Sequence, residues 1–472
     1  MGKEGYEIGL FGLGVMGRNL VLNMADHGFP VAVYNRTTEK TRAFIENEVG
    51  GRDIAAGYDL AEFTGLLRKP RAILIMVKAG APVDAVIEGL LPHLEPGDLL
   101  IDGGNSHFPD TDRRGKALAE KGFLYLGMGI SGGEAGARHG PSMMPGGPKE
   151  AYERVHPILE AATAKVDGEP CVAYLGPGSA GHYVKMVHNG IEYGLMQLIA
   201  ETYDLMKRGL GLTNDEFHAV YDKWNQAELK SYLMEITANI FPQVDEKTGE
   251  RIVDVIRDEA RQKGTGAWTS QDALDLQVPL PTIDIAVTMR SLSAFKNERV
   301  AASGVLHGPR PAFGGERDAF IEKVRHALYV GMIVTYAQGM AQLRAASQAY
   351  GYGLNLEAVA RIWRGGCIIR AALLEGIRAA YRTRPDLPNL LLDPHLAREV
   401  MARQDDLRAV VGTAARLGIP MPGLMVSLSY YDGYRSAWLP ANLIQAQRDY
   451  FGAHTYERLD EEGVFHTEWG ED

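Results

Sequence analysis

The sequence is poor in cysteine, has no long apolar run and carries no excess of basic residues. Its 472 residues include only two cysteines, Cys171 and Cys367, too few for a disulfide framework or a cysteine-based metal site. No apolar stretch is long enough to span a bilayer, and no signal-peptide segment precedes the first motif. The net charge of −11 argues against binding to nucleic acids or anionic membranes, although it leaves room for a local basic pocket. These features predict a soluble, reduced, cytoplasmic protein.

The chain is long enough for two or three domains. In residues 1–178 short apolar strands alternate with amphipathic helices, the first of which spans 16–27. The strands are predicted at 6–12, 30–35, 72–77, 98–104 and 123–128. Unbroken apolar strands must be buried on both faces, so this alternation predicts an α/β domain of Rossmann type with a parallel sheet.

Residues 179–438 have few glycines and long apolar patterns of helical period, which predict a large all-α domain. Residues 439–472 form a predicted C-terminal tail that is rich in arginine, histidine and aromatic residues. An internal duplication of the helical domain competes with chance agreement between two amphipathic helices. The recurring pattern is Phe217, Val220 and Trp224, followed 139 residues later by Leu356, Val359 and Trp363.

A glycine-rich motif follows the first predicted strand and opens the first predicted helix. It consists of Gly12, Leu13, Gly14, Val15, Met16 and Gly17. In this context the spacing is typical of a dinucleotide-binding turn, in which backbone and helix N-terminus approach a pyrophosphate. The competing interpretation is an ordinary glycine turn.

The end of the second predicted strand indicates which dinucleotide binds. Asn35, Arg36 and Thr37 stand where NAD-binding domains usually carry an acidic residue. No carboxylate would repel a 2′-phosphate there, and the guanidinium of Arg36 can pair with one. The sequence therefore predicts NADP as cofactor; the alternative is a surface arginine without a ligand.

Ligands of open α/β sheets bind at the carboxyl ends of the strands. The candidates at the following strand ends are Val77, Lys78 and Ala79, then Asn105, then Ser131, Gly132 and Gly133. Asn105 is expected near the nicotinamide, and the hydroxyl of Ser131 beside two bare amides suits a carboxylate or hydroxyl of a substrate. The alternatives are a solvated lysine at 78 and a ligand-free glycine turn at 131–133.

One predicted helix carries five polar residues on a single face, with a spacing of i, i+3, i+4, i+7 and i+8. They are Lys185, His188, Asn189, Glu192 and Tyr193. The mixture of amine, imidazole, amide, carboxyl and phenol is more typical of a cleft than of a salt-bridged surface. Lys185, if deprotonated by burial, and Glu192 could act as an acid–base pair. Ion pairs on a solvated face, and a purely structural His188, are the alternatives.

Four cationic residues could form a phosphate site in this otherwise acidic chain. They are Lys263, Arg290, Arg448 and His454. From composition alone, scattered surface charges explain them better.

Several motifs together resemble the decarboxylating 6-phosphogluconate dehydrogenases of the long homodimeric type. They are GLGVMGRNL, YNRT, MVKAG, IDGGNS, GISGGEAGARHGPSMMPGG, GHYVKMVHNGIEYG, KGTG and RDYFGAHTYER. The resemblance covers nearly the whole chain. It implies oxidation of 6-phospho-D-gluconate by NADP in the oxidative pentose phosphate pathway, with release of CO2 and ribulose 5-phosphate, and it implies no metal.

The resemblance also implies roles for single residues. Lys185 would be the general base and then acid, and Glu192 would protonate the enediol. The carboxyl and hydroxyl end of the substrate would be held by Asn105, Ser131, Gly132, Gly133, His188 and Asn189. Its phosphate would be held by Tyr193, Lys263 and Arg290. In a homodimer, Arg448 and His454 would reach the site of the partner chain. Two departures from the family pattern are Gly14 in the fingerprint and Ala267, where the family usually has a second lysine.

Two other functions remain as alternatives. One is a non-decarboxylating β-hydroxyacid dehydrogenase acting on an unphosphorylated acid, against which the cationic set speaks. The other is a catalytically silent NADP-binding sensor, in which Lys185 and Glu192 would be idle.

Overall fold

The computed structural model describes residues 5–309 and 312–470. Its first part contains seven strands in one sheet: β1 (Ile8–Phe11), β2 (Val31–Tyr34), β3 (Ile54–Ala56), β4 (Ala72–Ile75), β5 (Leu99–Asp102), β6 (Leu124–Ser131) and β7 (Ser142–Gly146). The order across the sheet is β3-β2-β1-β4-β5-β6-β7. Strands β1 to β6 run parallel, and β7 pairs antiparallel with β6.

The strands are buried because their side chains alternate between two apolar cores. In β4, Leu74 belongs to the core on one face, whereas Ile73 and Ile75 belong to the core on the other. The helices that cover the faces are α1 (Val15–Asp26), α2 (Thr38–Asn47), α3 (Leu60–Gly65), α4 (Ala81–Leu90), α5 (Phe108–Ala119), α6 (Gly133–His139) and α7 (Lys149–Ala162). The predicted Rossmann-type architecture is therefore confirmed.

The five predicted strands are parallel as expected, whereas β3 and the antiparallel β7 were not predicted. Strand β7 reads SMMPG, and its proline and glycine resemble a turn in sequence. Pro145 is compatible with a strand here because β7 ends the strand order, where fewer backbone donors are required. A short hairpin of β8 (Lys165–Val166) and β9 (Glu169–Pro170) leads towards the second part of the chain.

The second part is helical, as predicted. Its helices are α8 (Ala180–Leu205), α9 (Asn214–Asn225), α10 (Tyr232–Ile240), α11 (Ile252–Val255), α12 (Thr265–Asp275), α13 (Pro281–Ser293), α14 (Lys296–Ser303), α15 (Arg317–Ala349), α16 (Leu356–Ile362), α17 (Leu373–Thr383), α18 (Pro394–Met401), α19 (Gln404–Leu417), α20 (Pro422–Tyr434) and α21 (Ala441–Gly452). The long helices α8 and α15 pack against each other through the middle of one apolar core. Among the described residues, no helix has both the length and the hydropathy that crossing a bilayer requires.

Five helices of this part recur in the same order. Helices α8, α9, α10, α12 and α13 are followed by α15, α16, α17, α19 and α20, each of which begins about 140 residues after its counterpart. On this spacing we propose that the helical domain is internally duplicated. We likewise keep the limits 1–178, 179–438 and 439–472 as proposed domain boundaries.

Candidate active site

A cleft of about 1280 Å³ lies between the carboxyl ends of the central strands and the helical part. Its walls come from the β1–α1 turn, the turns after β4 and β5, helix α8, the segment before α12, and Arg290. The predicted site residues that line it are Gly14, Val15, Met16, Gly17, Val77, Lys78, Ala79, Asn105, Asn189, Glu192, Tyr193, Lys263 and Arg290. The structure thus brings together Arg290 and residues from five separate sequence motifs.

The β1–α1 turn is tight and is held from the neighbouring strand end. A Cβ atom on Gly17 would lie 2.0 Å from the carbonyl oxygen of Gly12, so this position admits no side chain. The Leu13 amide donates a hydrogen bond of 3.1 Å to Oδ1 of Asn35. Asn35 therefore shapes the turn itself, a role that the sequence did not suggest.

Arg36 and Thr37 follow Asn35 on the exposed rim, next to the cleft-lining turn but outside the cleft wall. Among the described residues, the guanidinium of Arg36 has no hydrogen-bond or ion-pair partner. A cation in this setting is free to bind an anion.

A buried polar network supports the turns after β4 and β5. Asp102 accepts hydrogen bonds from the hydroxyl of Ser106 (2.6 Å) and the amide of Gly104 (3.0 Å). Arg114 donates to the carbonyl of Gly80 (3.0 Å) and makes a bidentate ion pair with Asp84. The network fixes the backbone beneath Lys78 and Asn105, which are themselves exposed to the cleft. Sequence reasoning missed it because Asp84, Asp102 and Arg114 are far apart in the chain and meet only in the folded protein.

Lys185 is buried, with 6% of its surface exposed. It lies against β6 at Gly129, where a Cβ atom would come within 2.3 Å of the lysine's own Cβ. Burial lowers the pKa of Lys185, and the charge of Glu192 opposes this shift. A buried amine with a lowered pKa can give up its proton and accept another.

His188 connects Lys185 to β6. Its Nδ1 atom lies 3.5 Å from Nζ of Lys185, and its Nε2 atom lies 3.3 Å from the hydroxyl of Ser131. Burial, with the charge of Lys185 second, lowers the pKa of His188 well below its ordinary value, so the ring is neutral. The purely structural alternative for His188 is weakened, because its ring contacts polar side chains on both sides.

Ser131 and Gly132 are buried at the end of β6, and Gly133 is exposed at the start of α6. Like the buried Lys185 and His188, these three residues do not line the cleft; Ser131 contacts His188 behind its wall.

Glu192 lies one turn after His188 on α8 and lines the cleft. Its Oε2 atom is 3.9 Å from Nδ1 of His188, and 23% of its side chain is exposed. Burial raises the pKa of Glu192, while Lys185 and Arg290 oppose the change. Lys185 and Glu192 are therefore shifted in opposite directions, which is the pattern expected of an acid and a base that share one site.

The far end of the cleft is aromatic and cationic. The guanidinium carbon of Arg290 lies 3.4 Å from the centre of the Tyr193 ring, which holds both side chains in place. Asn189 donates to the hydroxyl of Thr265 (3.2 Å), two residues after the exposed Lys263. This contact joins the polar face of α8 to the start of α12.

Two aromatic residues that sequence reasoning missed also line the cleft. The rings of His107 and Trp268 are 4.5 Å apart and connect the turn after β5 to helix α12. Trp268 directly follows Ala267 in the KGTG segment and His107 directly follows the IDGGNS motif, but their pairing is visible only in three dimensions.

Arg448 and His454 do not lie at this cleft. Both are exposed on α21 and the turn that follows it. Within the described part of the chain, the hydrogen bonds and ion pairs of residues 441–469 join residues of that same segment, apart from the Leu443 amide, which bonds to the carbonyl of Pro440. A single chain therefore does not place these two cations near Lys185.

Both parts of the chain match one family. Residues 7–176 match the NAD binding domain of 6-phosphogluconate dehydrogenase, and residues 181–469 match the C-terminal domain of 6-phosphogluconate dehydrogenase. The chain belongs to the 6-phosphogluconate dehydrogenase family.

Relatives in this family are similar along their whole length. The chain is 57% identical over 464 residues to the NADP(+)-dependent, decarboxylating 6-phosphogluconate dehydrogenase of Bacillus subtilis, with 98% of this chain and 99% of the relative covered. Identity to the decarboxylating enzyme of Escherichia coli is 55%, with the same coverage. The solved 6-phosphogluconate dehydrogenase of Plasmodium falciparum, described in apo form and in complexes with NADP+ and with 6-phosphogluconate, superposes with a TM-score of 0.95 at 45% identity, covering 98% of this chain and 100% of that one.

Proposed function

We propose that this chain oxidises and decarboxylates 6-phospho-D-gluconate to D-ribulose 5-phosphate and CO2, with reduction of NADP to NADPH. The observation that carries the proposal is that Glu192 lines the same cleft as the β1–α1 turn, while the buried Lys185 on the same helix is linked to it through His188, whose Nδ1 lies 3.5 Å from the lysine Nζ and 3.9 Å from the glutamate Oε2. Burial lowers the pKa of Lys185 and raises that of Glu192. Family membership over nearly the full length agrees with this chemistry.

The residues of the first part fit NADP. The side-chain-free turn at Gly17 lets a pyrophosphate approach the N-terminus of α1, and Arg36 at the rim can pair with a 2′-phosphate. When bound, NADP accepts the hydride that leaves C3 of the substrate. Lys78 and Asn105, exposed at the neighbouring strand ends, complete this half of the site.

Lys185 holds and moves the first proton. As the neutral amine it accepts the proton of the C3 hydroxyl while hydride leaves the same carbon. The resulting ammonium stabilises the negative charge that develops on the 3-keto oxygen as the bond between C1 and C2 breaks and CO2 departs. His188, neutral and 3.5 Å away, orients the amine without competing for its proton.

Glu192 completes the reaction. Its raised pKa keeps a proton available. This proton passes to C1 of the five-carbon enediol, which was C2 of the substrate, and gives the ketose phosphate. Asn105, Ser131, Gly132, Gly133, His188 and Asn189 bind the carboxyl and hydroxyl end of the substrate. Tyr193, Lys263 and Arg290 bind its phosphate, for which Arg290 is already held over the Tyr193 ring.

The tail supports a homodimer in which each active site is shared. Four large apolar side chains of α21 are exposed in the single chain: Leu443 and Ile444 at 60%, Tyr450 at 60% and Phe451 at 72%. Such a face is typical of a surface that a second copy covers. Arg448 and His454 of the partner subunit would then complete the phosphate end of the cleft. A cytoplasmic location fits the two buried free thiols, Cys171 and Cys367.

The test is a turnover assay. Protein is mixed with 6-phosphogluconate and NADP, and nicotinamide reduction is followed together with CO2 release. Equal amounts of both products are expected. Reduction without CO2 would favour the non-decarboxylating alternative, and cofactor binding without turnover would favour the silent sensor.

Arg36→Ala tests the cofactor half of the site. Because only NADP carries the 2′-phosphate, the KM for NADP should rise by about tenfold or more, the effect of one lost charge-assisted contact, while the KM for NAD stays unchanged. Steady-state kinetics with both cofactors measures this. Equal losses for the two cofactors would remove Arg36 from the 2′-phosphate site.

A further inference from the structure

The C-terminal tail is organised around one buried carboxylate. Asp449 in α21 is completely buried, whereas every other residue in 432–470 is at least partly exposed. Burying a carboxylate costs free energy unless hydrogen bonds replace its contacts with water, and the rest of this segment is at least partly exposed.

Four donors from the end of the chain supply that compensation. Oδ1 of Asp449 accepts from the amide of Thr455 (2.9 Å) and from Nδ1 of His466 (2.9 Å). Oδ2 accepts from the amide of Thr467 (3.0 Å) and from the indole of Trp469 (2.9 Å). Desolvation opposes ionisation, but these hydrogen bonds outweigh it and lower the pKa of Asp449 below its ordinary value. The carboxylate thus fastens the segment 455–469 back onto α21.

The same carboxylate shapes the turn that presents His454. Ala453 and Thr455 on either side have φ angles of +48° and +63°, a conformation that costs free energy for residues other than glycine. Both are held by Asp449, whose carbonyl accepts from the Ala453 amide (2.9 Å) and whose side chain accepts from the Thr455 amide. Arg448 precedes Asp449 in the chain and is exposed, as is His454.

We infer that Asp449 is a positioning residue that presents Arg448 and His454 to the active site of the partner subunit. The inference rests on the proposed function of the tail. It adds that the buried carboxylate of Asp449, and not only Arg448 and His454, determines the affinity for the phosphorylated substrate.

Asp449→Asn is the decisive variant. An asparagine has one carbonyl oxygen, so its amide must face two of the four donors whichever way it is turned. The hydrogen bonds and ion pairs of 441–469 stay almost wholly within that segment, so the core of the chain should fold normally, and thermal unfolding checks this. The matched control is Asp460→Asn, since Asp460 pairs with Arg458 on the tail surface.

The expected result is a rise of about tenfold or more in the KM for 6-phosphogluconate, as for the loss of one charge-assisted contact, with the KM for NADP unchanged and Asp460→Asn like the parent. A normal KM for 6-phosphogluconate in Asp449→Asn would overturn the inference. A monomeric Asp449→Asn protein in sedimentation would also overturn it, because the carboxylate would then act on assembly.

Arg448→Ala and His454→Ala test the proposed role of the tail independently of Asp449. If they raise the KM and Asp449→Asn does not, the inference alone fails. If all three leave the KM unchanged, the proposed role of the tail fails as well.

A hybrid dimer tests action in trans. One subunit carries Lys185→Met and the other carries Asp449→Asn, with different affinity tags for purification. The intact Lys185 site of the second subunit then receives the intact tail of the first, and turnover with the parental KM is expected. A hybrid that keeps the raised KM would show that Asp449 acts within its own chain and would overturn the inference.

Discussion

Helices α8 and α15 are counterparts in the internal duplication that we propose, but their buried faces differ. At the offset of 139 residues, the polar residues of α8 correspond to small or apolar residues of α15. The pairs are Lys185 and Val324, His188 and Ala327, Asn189 and Leu328, Glu192 and Gly331, and Tyr193 and Met332. All five residues of α15 are buried.

The difference indicates what activity adds to the requirements of the fold. Helix α15 shows that an apolar face suffices to fill this position, and burial of Val324 and Leu328 is favourable. Helix α8 instead buries an amine and an imidazole, which is unfavourable unless they are paired. Among the described residues, the amine of Lys185 has His188 at 3.5 Å, and the charges of Glu192 and Cys367 act on its pKa, so hydrogen-bonding capacity remains for a ligand.

Lys185→Met should have the largest effect on activity, because it places an apolar side chain on α8 where α15 has Val324. The proposed general base is lost, and kcat should fall by about 10²–10⁴-fold while NADPH binding persists. Turnover and fluorescence titration measure the two quantities. The matched control, Val324→Met, should leave kcat unchanged; equal loss in both variants would mean that packing, not proton transfer, is responsible.

Val324→Lys is the reverse change. An ammonium at this fully buried site has no prepared partner, so the free energy of unfolding should fall by about 3–5 kcal/mol. Denaturant unfolding of the variant beside Val324→Met checks this. If the lysine is tolerated without loss, the two helices do not differ in their capacity to hold a charge.

Glu192→Gln tests the second titratable residue of the α8 face. Glutamine keeps the shape but cannot donate a proton to carbon, so kcat should fall by about 10²-fold with little change in KM. Trapping of the enediol by solvent isotope exchange at C1 would locate the affected step. Undiminished turnover would require another acid.

The smallest effect concerns the pH dependence of stability. The folded-state pKa of Lys185 is lowered from 10.5, so the folded state binds fewer protons than the unfolded state between the lowered value and 10.5. The penalty is complete below the folded-state pKa and disappears as the pH rises through 10.5. Lys185→Met should therefore be more stable than the parent at neutral pH, and the gain should vanish at high pH. Thermal unfolding across pH measures it; a constant difference would contradict the shift.

Much of the fold and of the candidate site could be predicted from the sequence, because the patterns that indicate them lie within short stretches of the chain. Strand–helix alternation predicted the sheet, and the spacing from Lys185 to Tyr193 predicted a shared face. Strand β7 was missed because Pro145 resembles a turn until its place at the sheet edge is known. The hydrogen bond from Leu13 to Asn35 and the stacking of His107 on Trp268 were missed because such pairings depend on the folded chain.

The proximity of Gly129 to Lys185 has a consequence for ligand design. With no side chain between them, helix and strand pack in direct contact, so the backbone at Lys185 is fixed against the sheet. Inhibitors can therefore be built outward from a fixed wall on the lysine side.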